Sequence, residues 1–274
     1  MKIAVCLATF NRKSLTLACI ESVMLAAKDK WDVSWIVVDA SSTDGTSEAI
    51  LGLDLKCEII KVGPECYWSR SMSLAMSLVS DEIDFVLLLN DDVKLSSDAC
   101  LRFSRELQKH PLAILVGQTI DPQSGALSYG GLLRLGRHPL KLKRVLAQTE
   151  PIEVDTFNAN IVLLPQAVIR KIGVIDAEFE HAYGDLDYGF RAKRNGTQLL
   201  VMPGYLGKCT INPLPMEERT SRIEKLHYIL ATNRLPWRSQ LRFTKRYGGL
   251  IWLVYFLAPY LKLLIANRLP QRIQ

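Results

Sequence analysis

The sequence Asp84-Phe-Val-Leu-Leu-Leu-Asn-Asp-Asp-Val93 joins an uninterrupted apolar run to three polar residues that follow it directly. An apolar run of this length without alternation is typical of a strand buried on both faces of a parallel sheet. The carboxyl ends of such strands form the edge at which open α/β sheets bind ligands. We therefore expect Asn90, Asp91 and Asp92 to lie at a ligand-binding edge.

Two adjacent carboxylates at that edge predict a bound divalent cation. Two like charges about 4 Å apart repel by about 4 kcal/mol at an effective dielectric constant of about 20, and a cation would remove this penalty. Since side chains alternate along a strand, Asp92 is the expected metal ligand, with Asn90 or Asp91 helping through water. Ligands that are all oxygen atoms favour Mg or Mn over zinc. The alternative is a solvated turn whose side chains bond to nearby backbone groups.

The rest of the first 215 residues alternates between strand and helix patterns. Strands are predicted at 2–8, 35–38, 57–62, 84–89, 112–119 and 156–165, with a helix from Ser14 as its cap to residue 28 and further helices between the later strands. This alternation predicts an α/β fold with a single Rossmann-like, mostly parallel sheet flanked by helices. Polar residues end three of the strands and should meet at one edge: Thr9 and Asn11, Asp39, Asp91 and Asp92.

The ends of the first two strands indicate how a nucleotide would bind. Asp39 is placed where acids accept hydrogen bonds from a base or ribose in nucleotide-binding folds. The sequence Ala8-Thr-Phe-Asn-Arg-Lys13 is neither a dinucleotide fingerprint nor a P-loop, which argues against NAD and ATP. Phosphates would then be held by the metal and by basic groups such as Arg12 or Arg70. Either arginine would alternatively form a surface ion pair.

Several motifs together resemble family 2 glycosyltransferases of the GT-A fold. In the first half these are Ala8-Thr-Phe-Asn-Arg12, Val38-Asp39 with Ser42-Thr-Asp44-Gly-Thr46, and Leu89-Asn-Asp-Asp-Val93. In the second half, the stretch from Phe179 to Arg191 contains Gly184-Asp-Leu-Asp-Tyr-Gly189 and is similar to the acceptor motif of the family, usually Glu-Asp-x-Asp-Leu-x-x-Arg. The resemblance covers residues 2 to 215. Tyr67-Trp68 and Pro203-Gly-Tyr-Leu-Gly-Lys-Cys209 extend it to a bacterial, rhamnosyltransferase-like subgroup of polysaccharide biosynthesis.

The resemblance implies inverting transfer of a sugar from a nucleotide diphosphate, with UDP or dTDP favoured, to a hydroxyl of a saccharide or lipid-linked acceptor. It implies that Asp185 is the catalytic base and that Asp92 binds Mg or Mn. The nucleotide-binding residues that follow are Thr9, Asn11, Arg12, Asp39, Asp44, Trp68, Arg70 and Asp91. His181, Tyr183 and Asp187 lie near the proposed base and are the expected acceptor-binding residues. A packing or solvent role is the alternative for His181 and Tyr183, and Asp187 and Arg191 also have the i, i+4 spacing of a structural ion pair.

The chain departs from the family pattern at two positions that bear on function. Gly184 stands where glutamate is common, and Cys209 stands where many relatives have a metal-binding histidine. A thiol is a poor ligand for Mg or Mn, so either Cys209 is structural, which we favour, or Lys208 neutralises the diphosphate. These departures leave a non-catalytic nucleotide-sugar-binding or membrane scaffold open. A sugar-nucleotide pyrophosphorylase is a further alternative, but it would require a glycine-rich loop after the first strand.

The C-terminal segment, residues 216–274, differs in charge and hydropathy from the transferase-like domain 1–215, whose predicted nucleotide and acceptor halves are 1–110 and 111–215. From Arg219 onward there are 11 lysines and arginines and one acid, against 23 and 27 in the preceding 218 residues. The apolar stretch 248–266 is interrupted by Pro259 and Lys262. It predicts a helical anchor lying in the plane of an anionic membrane rather than a crossing helix. A buried hairpin or a homodimer interface is the alternative.

Two further features bound the partners and the compartment. The segment 248–266 is too apolar for a surface that tracks nucleic-acid phosphates, so we expect no nucleic acid. The cysteines are scattered and the N-terminus lacks the apolar core of a signal peptide. We therefore expect a cytoplasmic protein, peripheral at the inner face of the cell membrane.

Overall fold

The computed structural model of the chain describes residues 1–179, 182–211 and 237–266, with side chains as far as residue 261. The strands are β1 (Lys2–Thr9), β2 (Asp32–Asp39), β3 (Cys57–Lys61), β4 (Phe85–Asn90), β5 (Lys94–Leu95), β6 (Ile114–Ile120), β7 (Leu127–Tyr129), β8 (Gly131–Arg134), β9 (Leu142–Arg144), β10 (Ile152–Glu153), β11 (Thr156–Phe157), β12 (Ile161–Pro165) and β13 (Leu199–Lys208). The helices are α1 (Lys13–Ala27), α2 (Thr46–Leu51), α3 (Trp68–Ser77), α4 (Ala99–Lys109), α5 (Gln166–Ile172), α6 (Gly184–Arg194), α7 (Trp237–Tyr247) and α8 (Trp252–Ala266). The predicted domain boundary at 215 lies outside the described residues.

The central sheet has the strand order β10-β13-β6-β12-β4-β1-β2-β3. Strands β1 to β4 are parallel to one another, and β13 is parallel to β6. Strand β12 is antiparallel to both of its neighbours, β4 and β6. The predicted α/β fold with a mostly parallel sheet flanked by helices is therefore confirmed. The reversal of β12 brings its amino end to the edge where β1, β2 and β4 have their carboxyl ends.

Strand β4 is buried on both faces, as its uninterrupted apolar sequence predicts. Leu87 and Leu89 pack into the core on one side of the sheet, which also contains Cys19 and Ile20 of α1 and Phe103 of α4. On the other side, the alternate residues of β4 pack with α3 and α6: Val86, Leu88, Met72, Ala75, Met76 and Tyr188. Because neither face meets water, alternation of polar and apolar residues is not needed.

Two local predictions are corrected by long-range contacts. Helix α1 begins at Lys13 with Arg12 as its N-cap residue, and Ser14 is not the cap. The Lys13 amide instead donates to the carboxylate of Asp44 at 2.9 Å, so a neighbouring loop supplies the acceptor. The predicted strand 156–165 is two strands, β11 and β12, separated by a turn at 158–160. That turn lies at the candidate site.

The C-terminal helices differ in how much of their surface is buried. Helix α7 packs Phe243 and Tyr247 into a cluster with residues of β8, β9 and α6, among them Leu132, Leu142, Leu186 and Phe190. A 3₁₀ turn at Gly249–Ile251 leads into α8, which contains Pro259 and leaves apolar side chains exposed. Across the ranges that the structure describes, no helix is both long and apolar enough to cross a membrane.

Candidate active site

The candidate site lies at the edge where β1, β2 and β4 end. Thr9 is paired in register with Asp39, and Ala8 with Asn90, so the polar residues at these strand ends are neighbours. The Asn90 amide donates to the carbonyl of Asn160 at 3.2 Å, which places the turn before β12 beside them. The sheet thus brings together the residues that were predicted to meet.

Arg12 pairs with both acids that follow β4. Its Nη1 lies 3.1 Å from Asp91 Oδ1 and 3.1 Å from Asp92 Oδ2. Asp91 is buried and Asp92 is partly exposed. Burial raises the pKa of Asp91 to about 6, with Asp92 adding to the rise and Arg12 and Thr9 opposing it. Arg12 therefore forms an ion pair with the acids at this edge, which was the alternative to phosphate binding, and its contact with phosphates stays a prediction.

Cys209 lies against Asp92, at the position that the family resemblance assigns to a metal-binding histidine. Its Sγ donates to Asp92 Oδ1 at 3.4 Å and lies 3.5 Å from Asn160 Nδ2. Burial, together with the Asp92 charge, raises the pKa of the thiol, so Cys209 is neutral and an unsuitable ligand for a hard cation. Among the described residues, no three His, Cys, Asp or Glu side chains are placed to hold a metal ion.

The oxygen donors that remain still suit one kind of metal complex. Mg is usually bound through one or two carboxylates together with substrate phosphates, rather than by a cage of protein ligands. Asp92 supplies such a carboxylate, and it is more accessible than Asp91. The site therefore fits a cation that arrives with a diphosphate.

Asn11 and Asp44 tie the loops after β1 and β2 together. Asn11 Oδ1 accepts from the Thr43 amide at 2.7 Å, and the Asn11 amide donates to Ser42 Oγ at 2.9 Å. Asp44 accepts from the amides of Lys13 and Thr46. These bonds fix the shape of the two loops. The nucleotide contacts predicted for Asn11 and Asp44 stay predictions.

The other predicted nucleotide residues are placed in different ways. Asp39 is buried and accepts from the Ser42 amide at 2.8 Å and from the Ser47 hydroxyl. Trp68 begins α3 and donates from Nε1 to Asn90 Oδ1 at 2.8 Å, so it contacts the end of β4 directly. Arg70 is exposed on the same helix.

Asp185 occupies the first turn of α6 and is bonded to the turn before β12. Its Oδ1 accepts from the Leu186 amide at 2.8 Å, and its Oδ2 accepts from the Ala159 amide at 3.3 Å. Burial raises the pKa of this carboxyl, and these amides together with the Asn158 side chain oppose the rise. The chain Asp185–Ala159–Asn160–Asn90 therefore joins the predicted base to the acidic edge.

Gly184 has a packing reason to differ from the common glutamate. A Cβ on Gly184 would lie 2.3 Å from Ser69 Oγ of α3, closer than non-bonded atoms approach. The preceding residue, Tyr183, has a φ of 74°, a left-handed backbone conformation that is rare outside glycine. The close approach of α3 thus accounts for the departure without any loss of the Asp185 carboxylate.

The three residues that were predicted to bind the acceptor lie in different surroundings. Tyr183 is half-buried beside Asp185, and His181 lies outside the described residues. Asp187 is fully buried, and its oxygens are bonded to Arg191, Arg246 and Tyr247, which argues against direct contact with an acceptor. The ion pair with Arg191, which the spacing predicted, is present at 2.8 Å.

The turn residues Asn158 and Asn160 were not identified from the sequence. They lie at the amino end of β12, and strand patterns alone do not show that this strand runs against its neighbours. The signal that was available is the interruption of an apolar stretch by Asn158-Ala-Asn160.

The chain belongs to glycosyl transferase family 2, whose model matches residues 4–186. No curated protein matches the chain. A crystal structure of S. aureus TarS superposes with a TM-score of 0.60 at 16% identity, over 91% of this chain and 44% of TarS. TarS 1–349 in complex with UDP gives 0.59 at 15% identity, over 94% and 72% of the two chains. TarS 1–349 in complex with UDP-GlcNAc superposes with a TM-score of 0.57 at 14% identity, over 94% of this chain and 73% of the TarS chain.

These similarities confirm the family and the GT-A fold that the sequence motifs indicated. The chain spans less than half of the length of the longer TarS chain.

We expect Asp91 to make the metal-free protein less stable as the pH rises. Its folded pKa of about 6 exceeds the ordinary value of 3.8, so the stability that its proton contributes is complete below about pH 4 and is lost as the pH rises through 6. Between pH 4 and 7, Asp91→Asn should therefore gain about 2–3 kcal/mol in unfolding free energy relative to wild type. Urea denaturation in EDTA at pH 4 and pH 7 measures the difference in unfolding free energy between Asp91→Asn and wild type. A difference that is equal at the two pH values would contradict the prediction.

Proposed function

We propose that the protein is an inverting glycosyltransferase that moves a sugar from a nucleotide diphosphate to a hydroxyl of a saccharide acceptor in cell-surface polysaccharide synthesis. The observation that carries this proposal is the placement of Asp185. Its carboxylate lies at the start of α6 with a raised pKa, and it is joined by the 158–160 turn to the acidic edge after β4. The bonds of this one turn support a site in which a proton acceptor and a diphosphate are held close together.

In this reaction Asp185 takes the proton of the acceptor hydroxyl as its oxygen attacks the anomeric carbon. The bond from that carbon to the diphosphate breaks, and the diphosphate leaves with the bonding electrons. General-base catalysis of this kind contributes about 10²–10⁴ in rate. The raised pKa brings the carboxylate closer to the working pH, which favours proton uptake. No covalent intermediate with the protein is required.

The diphosphate would be held at the Asp92 end of the site. Mg or Mn bound by Asp92 would neutralise the charge that develops on the leaving group. Arg12, which contacts both Asp91 and Asp92, would turn from these acids toward the phosphates. The TarS structures in complex with UDP and UDP-GlcNAc support a uridine nucleotide as the donor, and dTDP is the other nucleotide that we expect.

The alternatives lose support from particular observations. Gly184 was a reason to consider a non-catalytic scaffold, and its contact with Ser69 supplies a packing explanation instead. A pyrophosphorylase is disfavoured by the match to glycosyl transferase family 2.

Asp185→Asn should fold and bind nucleotide yet lose transfer by about 10²–10⁴-fold, because an amide cannot take the proton. The substitution keeps an oxygen that can accept from the Leu186 amide, so the turn should hold. Initial rates of transfer and the Kd for UDP should be measured on the same preparation. Asp81→Asn is the matched control, since Asp81 is exposed and lies before β4, away from its carboxyl end. Turnover by Asp185→Asn at the wild-type rate would remove Asp185 from the role of base.

We also propose that α8 rests on the cytoplasmic face of an anionic membrane, in reach of a lipid-linked acceptor. The helix and the turn before it expose large apolar side chains: Leu250, Ile251, Leu253, Val254, Leu257 and Leu261. The segment from Arg219 onward carries ten more positive than negative charges. Exposed apolar side chains in a segment with a positive net charge are the combination that binds anionic leaflets.

Vesicle flotation tests this docking. Binding should require anionic lipid, weaken with salt, and fall at least several-fold in Leu253→Asp/Val254→Asp. Leu112→Asp is the control, because Leu112 is also exposed but lies before β6, outside the C-terminal segment. A chain that ignores vesicles and is a dimer in solution, but becomes a monomer in the double variant, would show a dimer interface instead.

A further inference from the structure

Helix α7 reaches the proposed base through groups that the reaction does not use. Arg246 Nη1 of α7 lies 2.5 Å from Asp187 Oδ1, and the Tyr247 hydroxyl donates to the same oxygen at 2.7 Å. The other oxygen, Oδ2, accepts from Arg191 Nε of α6 itself at 2.8 Å. Asp187 is thus the point at which α7 is bonded to α6.

This contact fixes the two helices relative to each other. The side chain of Asp187 is fully buried, and a buried carboxylate is stable only when its oxygens are paired. The pairing also has a second, separate anchor, because Arg191 donates to the carbonyls of Ile172 and Val174 at 2.7 and 2.8 Å. Arg191 therefore holds α6 from one side, and Arg246 holds it from the other.

The turn that carries Asp185 lies between groups that α7 contacts. The Asp187 amide donates to the Tyr183 carbonyl at 2.8 Å, which closes the first turn of α6 around Asp185. The ring of Tyr183 lies 5.2 Å from the ring of Phe243 of α7. Tyr183 has a left-handed φ, and such a conformation persists in a non-glycine residue when its surroundings impose it. Helix α7 thus contacts the residues on both sides of Asp185.

We infer that α7 is a positioning element for catalysis: Arg246 and Tyr247, acting through Asp187, hold the first turn of α6 so that Asp185 faces the acceptor hydroxyl. This inference rests on the proposed function and deepens it. It makes the C-terminal segment part of the catalytic apparatus in addition to its membrane contact. A small displacement of a catalytic group is sufficient to lower the rate, since misplacement by about 1 Å can cost about 10²-fold.

The chain offers a matched pair of arginines for the test. Arg242 lies one turn before Arg246 on α7, and both bond to Asp176, at 3.3 and 3.0 Å. Arg246 also bonds to Asp187, whereas Arg242 bonds to Glu178. Arg246→Gln should fold, because Arg191 still pairs with Asp187.

We expect Arg246→Gln to lower kcat by about tenfold or more, with the Kd for UDP changed less than about twofold. Arg242→Gln should change kcat less than about twofold, and Arg246→Lys should recover part of the loss. Hydrogen exchange at the Asp187 amide should accelerate in Arg246→Gln and stay unchanged in Arg242→Gln, because that amide closes the turn.

Any one of three results would overturn the inference. The first is an equal kcat in Arg246→Gln and Arg242→Gln. The second is a UDP affinity that falls together with kcat in Arg246→Gln, and the third is unchanged hydrogen exchange at the Asp187 amide in that variant. Failure of the proposed function is distinguishable, because the wild type would then transfer no sugar while the exchange measurement still reports whether α7 holds the turn.

Discussion

The reversed strand β12 is the constraint on which the site depends. It lies between β4 and β6 and is antiparallel to both, so its amino end meets the carboxyl end of β4. The backbone bond between Asn90 and Asn160 fixes this junction, and the Ala159 amide in the same turn bonds to Asp185. One turn therefore joins the acids after β4, where we propose the diphosphate to bind, to Asp185, the proposed base. In an all-parallel sheet this turn would lie at the opposite edge.

Local patterns in the sequence were sufficient for part of this arrangement. The apolar run before Asn90 predicted a strand buried on both faces, and the i, i+4 spacing predicted the pair of Asp187 with Arg191. The features that were missed join residues far apart in the chain. Asp44 supplies the acceptor at the start of α1, and Ser69 approaches Gly184 so closely that no side chain fits. Periodicity and spacing carry no information about such contacts.

The C-terminal helices show how polar and apolar contacts divide their roles. Helix α7 is bound to the domain by the buried carboxylate of Asp187 and by the aromatic cluster around Phe243. Helix α8 continues from it with exposed leucines, and Tyr260 of α8 donates to Gln240 of α7 at 3.0 Å. Helix α8 is thereby connected through α7 to the first turn of α6, which carries Asp185.

Calorimetric titration of the protein with UDP, dTDP and GDP, with and without Mn, tests the nucleotide and metal site most directly, alongside Asp92→Ala and the control Asp81→Ala. We expect UDP or dTDP to bind in a metal-dependent way, Asp92→Ala to abolish this binding, and Asp81→Ala to preserve it. Binding that is equal with and without Mn and survives in Asp92→Ala would contradict the metal site. Binding of none of the three nucleotides would contradict the transferase itself.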